Sequence, residues 1–191
     1  MKKLVLVFAL VLTGAFSQQS KASFLIDPYI GYKLAWDTGT IEAGGISGEL
    51  DFTRNGVMYG ARAGYQFLGF MAGLEYGMGS GINYELAAGK IGGIDIPSSD
   101  SKYDASYLGI FVGYELPIML RAWATYFFDA NWEAEDGDKT ELTVISLGVG
   151  FTGLPFVSLN AEYRMNSFDS DSDGYETNGE LFFSASLPLN L

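Results

Sequence analysis

The sequence predicts an all-β fold: an eight-stranded antiparallel up-and-down transmembrane β-barrel, with short turns at one end and long acidic loops at the other. Three observations predict it. Eight segments alternate apolar and non-apolar residues with a period of two, which sends side chains to opposite faces of a strand. In most of them the non-apolar face carries Gly, Ser or charge, the filling a narrow interior needs. The chain opens with the features of a secretory leader.

The leader comes first. Lys2 and Lys3 give a positive start, Leu4 to Phe16 a short apolar run, and Ser20-Lys21-Ala22 small residues suited to cleavage before Ser23. Residues 1–22 are therefore expected to be a cleaved signal peptide, and 23–191 one barrel domain. No later stretch approaches the roughly 18 apolar residues of a membrane helix, so any span must be made of strands.

Strands are expected near 26–37, 56–67, 70–79, 104–115, 119–130, 140–151, 157–168 and 180–190. The first carries Gly31 and Lys33 on its polar face. The second and third meet at Leu68-Gly69. A two-residue turn there sets Phe67 opposite Phe70, Tyr65 opposite Ala72 and Ala63 opposite Leu74, all apolar. The same register sets Gly64 opposite Gly73 and Arg62 opposite Glu75. The fourth strand alternates clearly: Leu108, Ile110, Val112, Tyr114 and Leu116 share one face, Tyr107, Gly109, Phe111, Gly113 and Glu115 the other. Leu116-Pro117-Ile118 leads tightly into the fifth, and Gly153-Leu154-Pro155 joins the sixth to the seventh. The eighth closes the chain. The remaining connections, about 38–55, 80–103, 131–139 and 169–179, are long and polar. Short and long connections alternate strictly, so all short turns share one end.

A soluble ligand-carrying barrel has the same periodicity with the apolar face turned inward. The polar face decides between them. It carries Gly31, Gly60, Gly64, Gly73, Gly77, Gly79, Gly109, Gly113, Gly148 and Gly150, where a solvated surface would carry Lys, Glu and Thr. The lipid-facing arrangement fits better. Without the leader lysines, eight basic residues stand against 23 acidic ones, which disfavours nucleic acid and anionic membrane surfaces as partners. The absence of cysteine excludes disulfides and a lipoprotein anchor.

The leader, the opening Asp27-Pro28-Tyr29-Ile30-Gly31-Tyr32, the unequal ends and the final alternation from Leu181 to Leu191 together resemble the small eight-stranded outer-membrane β-barrels, the group that includes the OmpA transmembrane domain, OmpX and OmpW. That family usually ends in an aromatic residue; this chain ends in Leu191. The resemblance implies residence in the outer membrane of a Gram-negative-type bacterium. It also implies short turns in the periplasm, and lipid, lipopolysaccharide and the outer-membrane assembly machinery as partners. A monomer is favoured.

Seven charged residues project inward by alternation: Lys33, Arg62, Glu75, Glu115, Arg121, Glu162 and Arg164. Buried charge is costly unless paired, so these are expected to form a plug of ion pairs, with Arg62–Glu75 opposite and Glu115–Arg121 diagonal. Inward Phe111, Trp123 and Phe127 could instead line an apolar upper cavity. Asp169 to Glu180 fits the calcium-loop pattern D-x-D-x-D-G-x5-E. Asp169, Asp171, Asp173 and Glu180 would supply carboxylates and Tyr175 a carbonyl to Ca²⁺, with Glu180 at the rim. Barrel enzymes of this size rely on histidine; this chain has no His and no Cys nucleophile, so no catalytic or cofactor-binding residue is expected. The function expected is a structural or surface-presentation role. The alternatives are a small channel or carrier for hydrophobic or small solutes, and a cation-dependent adhesion module built on the acidic loops.

Overall fold

The computed structural model describes residues 22–43, 46–87, 89–91, 94–168 and 179–191. Strand follows strand throughout: β1 (Ser23–Ala43), β2 (Ile46–Phe67), β3 (Phe70–Leu86), a small hairpin of β4 (Gly89–Ile91) and β5 (Ile94–Ile96), then β6 (Ser99–Leu116), β7 (Leu120–Ala134), β8 (Lys139–Phe151), β9 (Ser158–Phe168), β10 (Glu180–Ser186) and β11 (Leu189–Asn190). Each long strand pairs antiparallel with its sequence neighbours, and β1 closes the ring against β10, from Tyr29–Ser186 to Ala35–Glu180. The result is a closed eight-stranded barrel.

Its dimensions follow from the register. A path along paired residues runs Leu25, Gly64, Gly73, Phe111, Thr125, Ser146, Arg164, Glu180 and returns to β1 at Ala35. The stagger is therefore ten residues. With a rise of ~3.3 Å and a strand spacing of ~4.7 Å, ten over eight strands tilts the strands by about 41°, within the range usual for membrane barrels.

The hairpin at Leu68-Gly69 has the expected register, including Arg62 opposite Glu75 and Gly64 opposite Gly73. Those two glycines are required by close approach. A Cβ on Gly64 would lie 2.1 Å from the Ala72 carbonyl oxygen, and one on Gly73 2.1 Å from that of Ala63.

The outer face is apolar over a band. Ile30, Val57, Leu74, Ile110, Val112, Leu147 and Val149 are all exposed. Outward positions turn polar at Asn55, Ser80, Ser106 and Thr143. From Phe67 to Val57 is ten residue steps along β2, or roughly 25 Å of height at this tilt, the thickness a membrane barrel covers. Exposed Phe24, Tyr65, Phe67, Phe70 and Phe151 ring the lower edge. Tyr32, Tyr59, Tyr76, Tyr126, Tyr163 and Phe183 form a second ring higher up. Aromatic girdles of this kind sit at membrane interfaces.

Two expectations need correction. Three of the four segments expected as loops carry paired strand: β1 and β2 stay paired out to Ala43–Ile46, β3 and β6 out to Leu86–Ser99, and β7 and β8 out to Glu133–Lys139. A strand past the membrane can be polar on both faces, because water replaces lipid, so apolar alternation stops while pairing continues. The last strand is also broken in two at Leu187-Pro188. Pro188 has no N–H for the ladder; Leu187 donates to Pro28 instead, and Leu191 exchanges both backbone hydrogen bonds with Phe24.

Two bulges set which side chains face in. An extra residue in β3 near Ser80-Gly81 is held by Asp104, which accepts from the Ser80 hydroxyl and the Gly81 N–H at 2.8 Å each. In β7 the register slips after Phe127, so Phe128 and Asp129 both face outward and Ala130 returns inward.

Candidate functional site

The bore holds a ladder of charge along the barrel axis. Near the short turns, Leu25, Met71 and Phe111 make a small apolar floor. Above it lie Asp27, Arg62, Arg121, Glu75, Glu162 and Arg164, then Lys33 and Glu180, none more than 3% exposed. With the equally buried Arg54 they make four acids and five bases.

Arg62 is the hub. It lies between Asp27 and Glu75 in the strand register. Its Nη1 donates to Asp27 Oδ2 and its Nε to Glu75 Oε2, each at 3.2 Å, and its Nη2 donates to Glu162 Oε1. The guanidinium plane also faces Trp123, its Cζ 4.3 Å from the ring centroid. A planar fork spreads five donors over three nitrogens and so reaches carboxylates on several sides at once, whereas an ammonium carries its three donors on one atom. Asp27 takes a second cation, Arg121 Nη1, at 2.8 Å. Glu162 accepts from Arg164 at 3.1 Å and from Ser146 at 3.0 Å, while Thr125 donates to Glu75 at 2.7 Å. Higher still, Lys33 Nζ sits 2.8 Å from Glu180 Oε2 and donates to the Tyr107 hydroxyl at 3.1 Å.

Aromatic rings fill what the charges leave. Arg164 Cζ is 4.4 Å from the centroid of Phe182, and Lys33 Nζ 5.0 Å from that of Trp132. Tyr29, Met58, Ile82, Tyr107, Phe127 and Phe182 belong to one buried cluster. Trp123 fits because Gly148 faces it: a Cβ there would lie 2.3 Å from the indole. The space between Asp27, Arg62, Phe111, Arg121 and Trp123 holds no water-sized void.

All seven charges expected inside are on the inner face. Arg62 and Glu75 meet as expected. Glu115 and Arg121 do not, although they are direct register partners rather than diagonal ones. Arg121 turns into the bore toward Asp27, and Glu115 accepts from the Gln66 amide at 2.6 Å. Phe111 and Trp123 lie in the half nearer the short turns, packed rather than lining an upper cavity. Glu180, expected at the rim as a calcium ligand, is fully buried and held by Lys33. Asp169, Asp171, Asp173 and Tyr175 lie outside the described residues. Among the described residues no group of acids is placed to hold a metal ion.

Asp27 was missed as a lattice member, although it shares its parity with Lys33 and that signal would have found it. Arg54, also inward and buried, was hidden by reading 38–55 as a loop.

No protein-family model matches the sequence, and comparison with curated proteins finds no match. Among solved structures, the chain is similar to Neisserial surface protein A at 13% identity and a TM-score of 0.43, covering 87% of this chain and 98% of that one. It is similar to the outer membrane protease OmpT from Escherichia coli at 11% identity and a TM-score of 0.41, covering 88% and 97%. A third likeness is to OmpT, an outer membrane protein of Vibrio cholerae, at 14% identity and a TM-score of 0.37. That match covers 87% of this chain but 52% of the Vibrio protein, so the chain spans about half its length.

Proposed function

We propose that the chain is an integral outer-membrane barrel with a structural or surface-presentation role, its bore closed by its own ion pairs. The observation that carries this reading is the lattice of four acids and five bases buried along the bore, interleaved with aromatic rings. Eight strands leave an interior just wide enough for side chains, and here large side chains occupy it. The apolar band and its two girdles support residence in a bilayer, and the secretory leader supports export. The closed ring leaves no barrel edge seeking a second copy, which supports a monomer. A non-enzymatic role is supported by the absence of His and Cys from the sequence.

Single-channel recording on refolded protein in a planar bilayer tests the plug. The expected result is no discrete conductance steps. Regular steps in the unmodified protein would overturn the plug and favour the channel reading. Steps that appear only in Arg62→Ala would support it.

A further inference from the structure

We propose that the mouth at the short-turn end binds one zwitterionic amine–phosphate headgroup, that of a phospholipid from the surrounding membrane; this rests on the membrane reading above. A cavity of about 250 Å³ opens there. Glu115, Arg121, Thr152 and Ser158 contribute to its polar lining, and Leu154 and Phe156 to its apolar lining.

Charge of both signs is available. Glu115 and Arg121 are opposed in register and feel each other's charge, yet no direct ion pair joins them. Arg121 is drawn inward by Asp27 at 2.8 Å and also donates to Asn160 and Ser186. The Glu115 carboxylate has an amide for a partner, and among the described residues no cation lies within ion-pair distance of it. Two donors are also left over: Arg121 Nε and the Ser158 hydroxyl are buried without a hydrogen-bond partner among the described residues. A phosphoryl oxygen accepts from guanidinium and hydroxyl groups, and an ammonium donates to a carboxylate. Inorganic phosphate would meet the donors but be repelled by Glu115. A simple amine would meet Glu115 but be repelled by Arg121. A headgroup carrying both charges satisfies both.

The surroundings point to a lipid as its bearer. Residues 67–71, 116–120, 151–157 and 187–191 contain no Asp, Glu, Lys or Arg. Their tips are apolar and bare: Ile118 and Met119 are each 58% exposed, Leu191 74% and Phe156 88%. This surface continues without a polar break into Phe67, Phe70, Leu120 and Phe151 of the lipid-facing band. Acyl chains lying on that band reach the mouth without leaving apolar surface, and the apolar tips then rest among lipid rather than in water.

Native mass spectrometry of refolded protein in maltoside micelles tests the site. The probes are phosphatidylethanolamine and phosphatidylglycerol with identical chains, which share the phosphate and differ in the amine. The expected result is one retained phosphatidylethanolamine, favoured about tenfold or more, the effect of one charged hydrogen bond. Glu115→Gln should remove the preference. Phe156→Ser, at a tip that is 88% exposed, should lower retention of both lipids. Equal retention of the two lipids by wild type, an unchanged preference in Glu115→Gln, or unchanged retention in Phe156→Ser overturns the proposal. Displacement by free phosphoethanolamine at the lipid's own concentration would show that the headgroup alone is recognised and overturn the lipid assignment. Heat-modifiable mobility in gels reports folding of each variant. Failure of wild type to fold into vesicles would count against the membrane reading, whereas folding without lipid retention counts against the site alone.

Discussion

Arg62 holds three carboxylates, so its loss has the largest expected consequence of any single residue. Arg62→Ala leaves Glu75 without its cation and takes one of two from Asp27 and Glu162, where the packing around Arg62 leaves no water-sized void. Breaking one partner of a buried pair costs about 3–5 kcal/mol, and here the upper end is expected. Arg62→Lys should recover little, because three different guanidinium nitrogens reach the three carboxylates and an ammonium has only one. Urea unfolding in lipid measures both; a lysine variant as stable as wild type would refute the hub. Glu180 carries a second prediction at this scale. Its carboxylate is paired with Lys33 at full burial, so Glu180→Gln should cost several kcal/mol (about 3–5) through Lys33. The loss should be the same in Ca²⁺ and in EDTA. A loss seen only with Ca²⁺ would return Glu180 to the metal.

Among the elements, the tight turns are chemically unusual. Leu68 and Gly69 have φ of 50° and 83°, which is the pairing of a type I′ turn, and Met119 and Phe156 also sit at positive φ. A bulky L-residue there is strained by about 1–2 kcal/mol, whereas Asn tolerates the conformation. Leu68→Asn should therefore stabilise the barrel by about 1 kcal/mol, seen as a raised urea midpoint with an unchanged slope. No gain would mean that Leu68 recovers its strain from lipid contact. In β8 the fit of Gly148 to Trp123 predicts a coupling. Gly148→Val should cost about 1–3 kcal/mol by displacing the indole, and much less in a Trp123→Leu background. Additive losses would show that the glycine serves the backbone instead.

For the whole molecule, the two ends differ in length and chemistry. The tight turns of one end are apolar, with no charged side chain at their tips; the other end extends as paired strand well beyond the band and carries Glu133, Glu135, Asp136 and Asp138. The proposed topology puts the second end outside the cell. A cysteine placed at Asp136 should react with an impermeant maleimide on intact cells, and one at Gly69 only after permeabilisation. The reverse pattern would invert the barrel. High salt should leave the thermal stability nearly unchanged, because the ion pairs of the bore are shielded from solvent ions.

The sequence alone determined which way most strand side chains point, the bulges near Ser80 and after Phe127 being where period two fails. Period two is a local property of an extended backbone, so Lys33, Glu75, Arg121 and Arg164 could be placed inside from their neighbours, and a two-residue turn settled the Arg62–Glu75 partnership. It also determined the strand number and the asymmetry of the ends, because turn residues and apolar alternation are written locally. Strand lengths were less legible, since pairing in water needs no apolar face. The tertiary structure alone decided who meets whom across the bore. Lys33 reaches Glu180 and Asp27 reaches Arg121 because ring closure staggers β1 by ten residues against itself. That stagger accumulates the register of all eight strand pairs, four of them joined through connections that read as long and polar and so fix no register. Glu115 and Arg121 show the consequence: adjacent in register, they part because the closed barrel offers Arg121 a better-buried carboxylate than its neighbour.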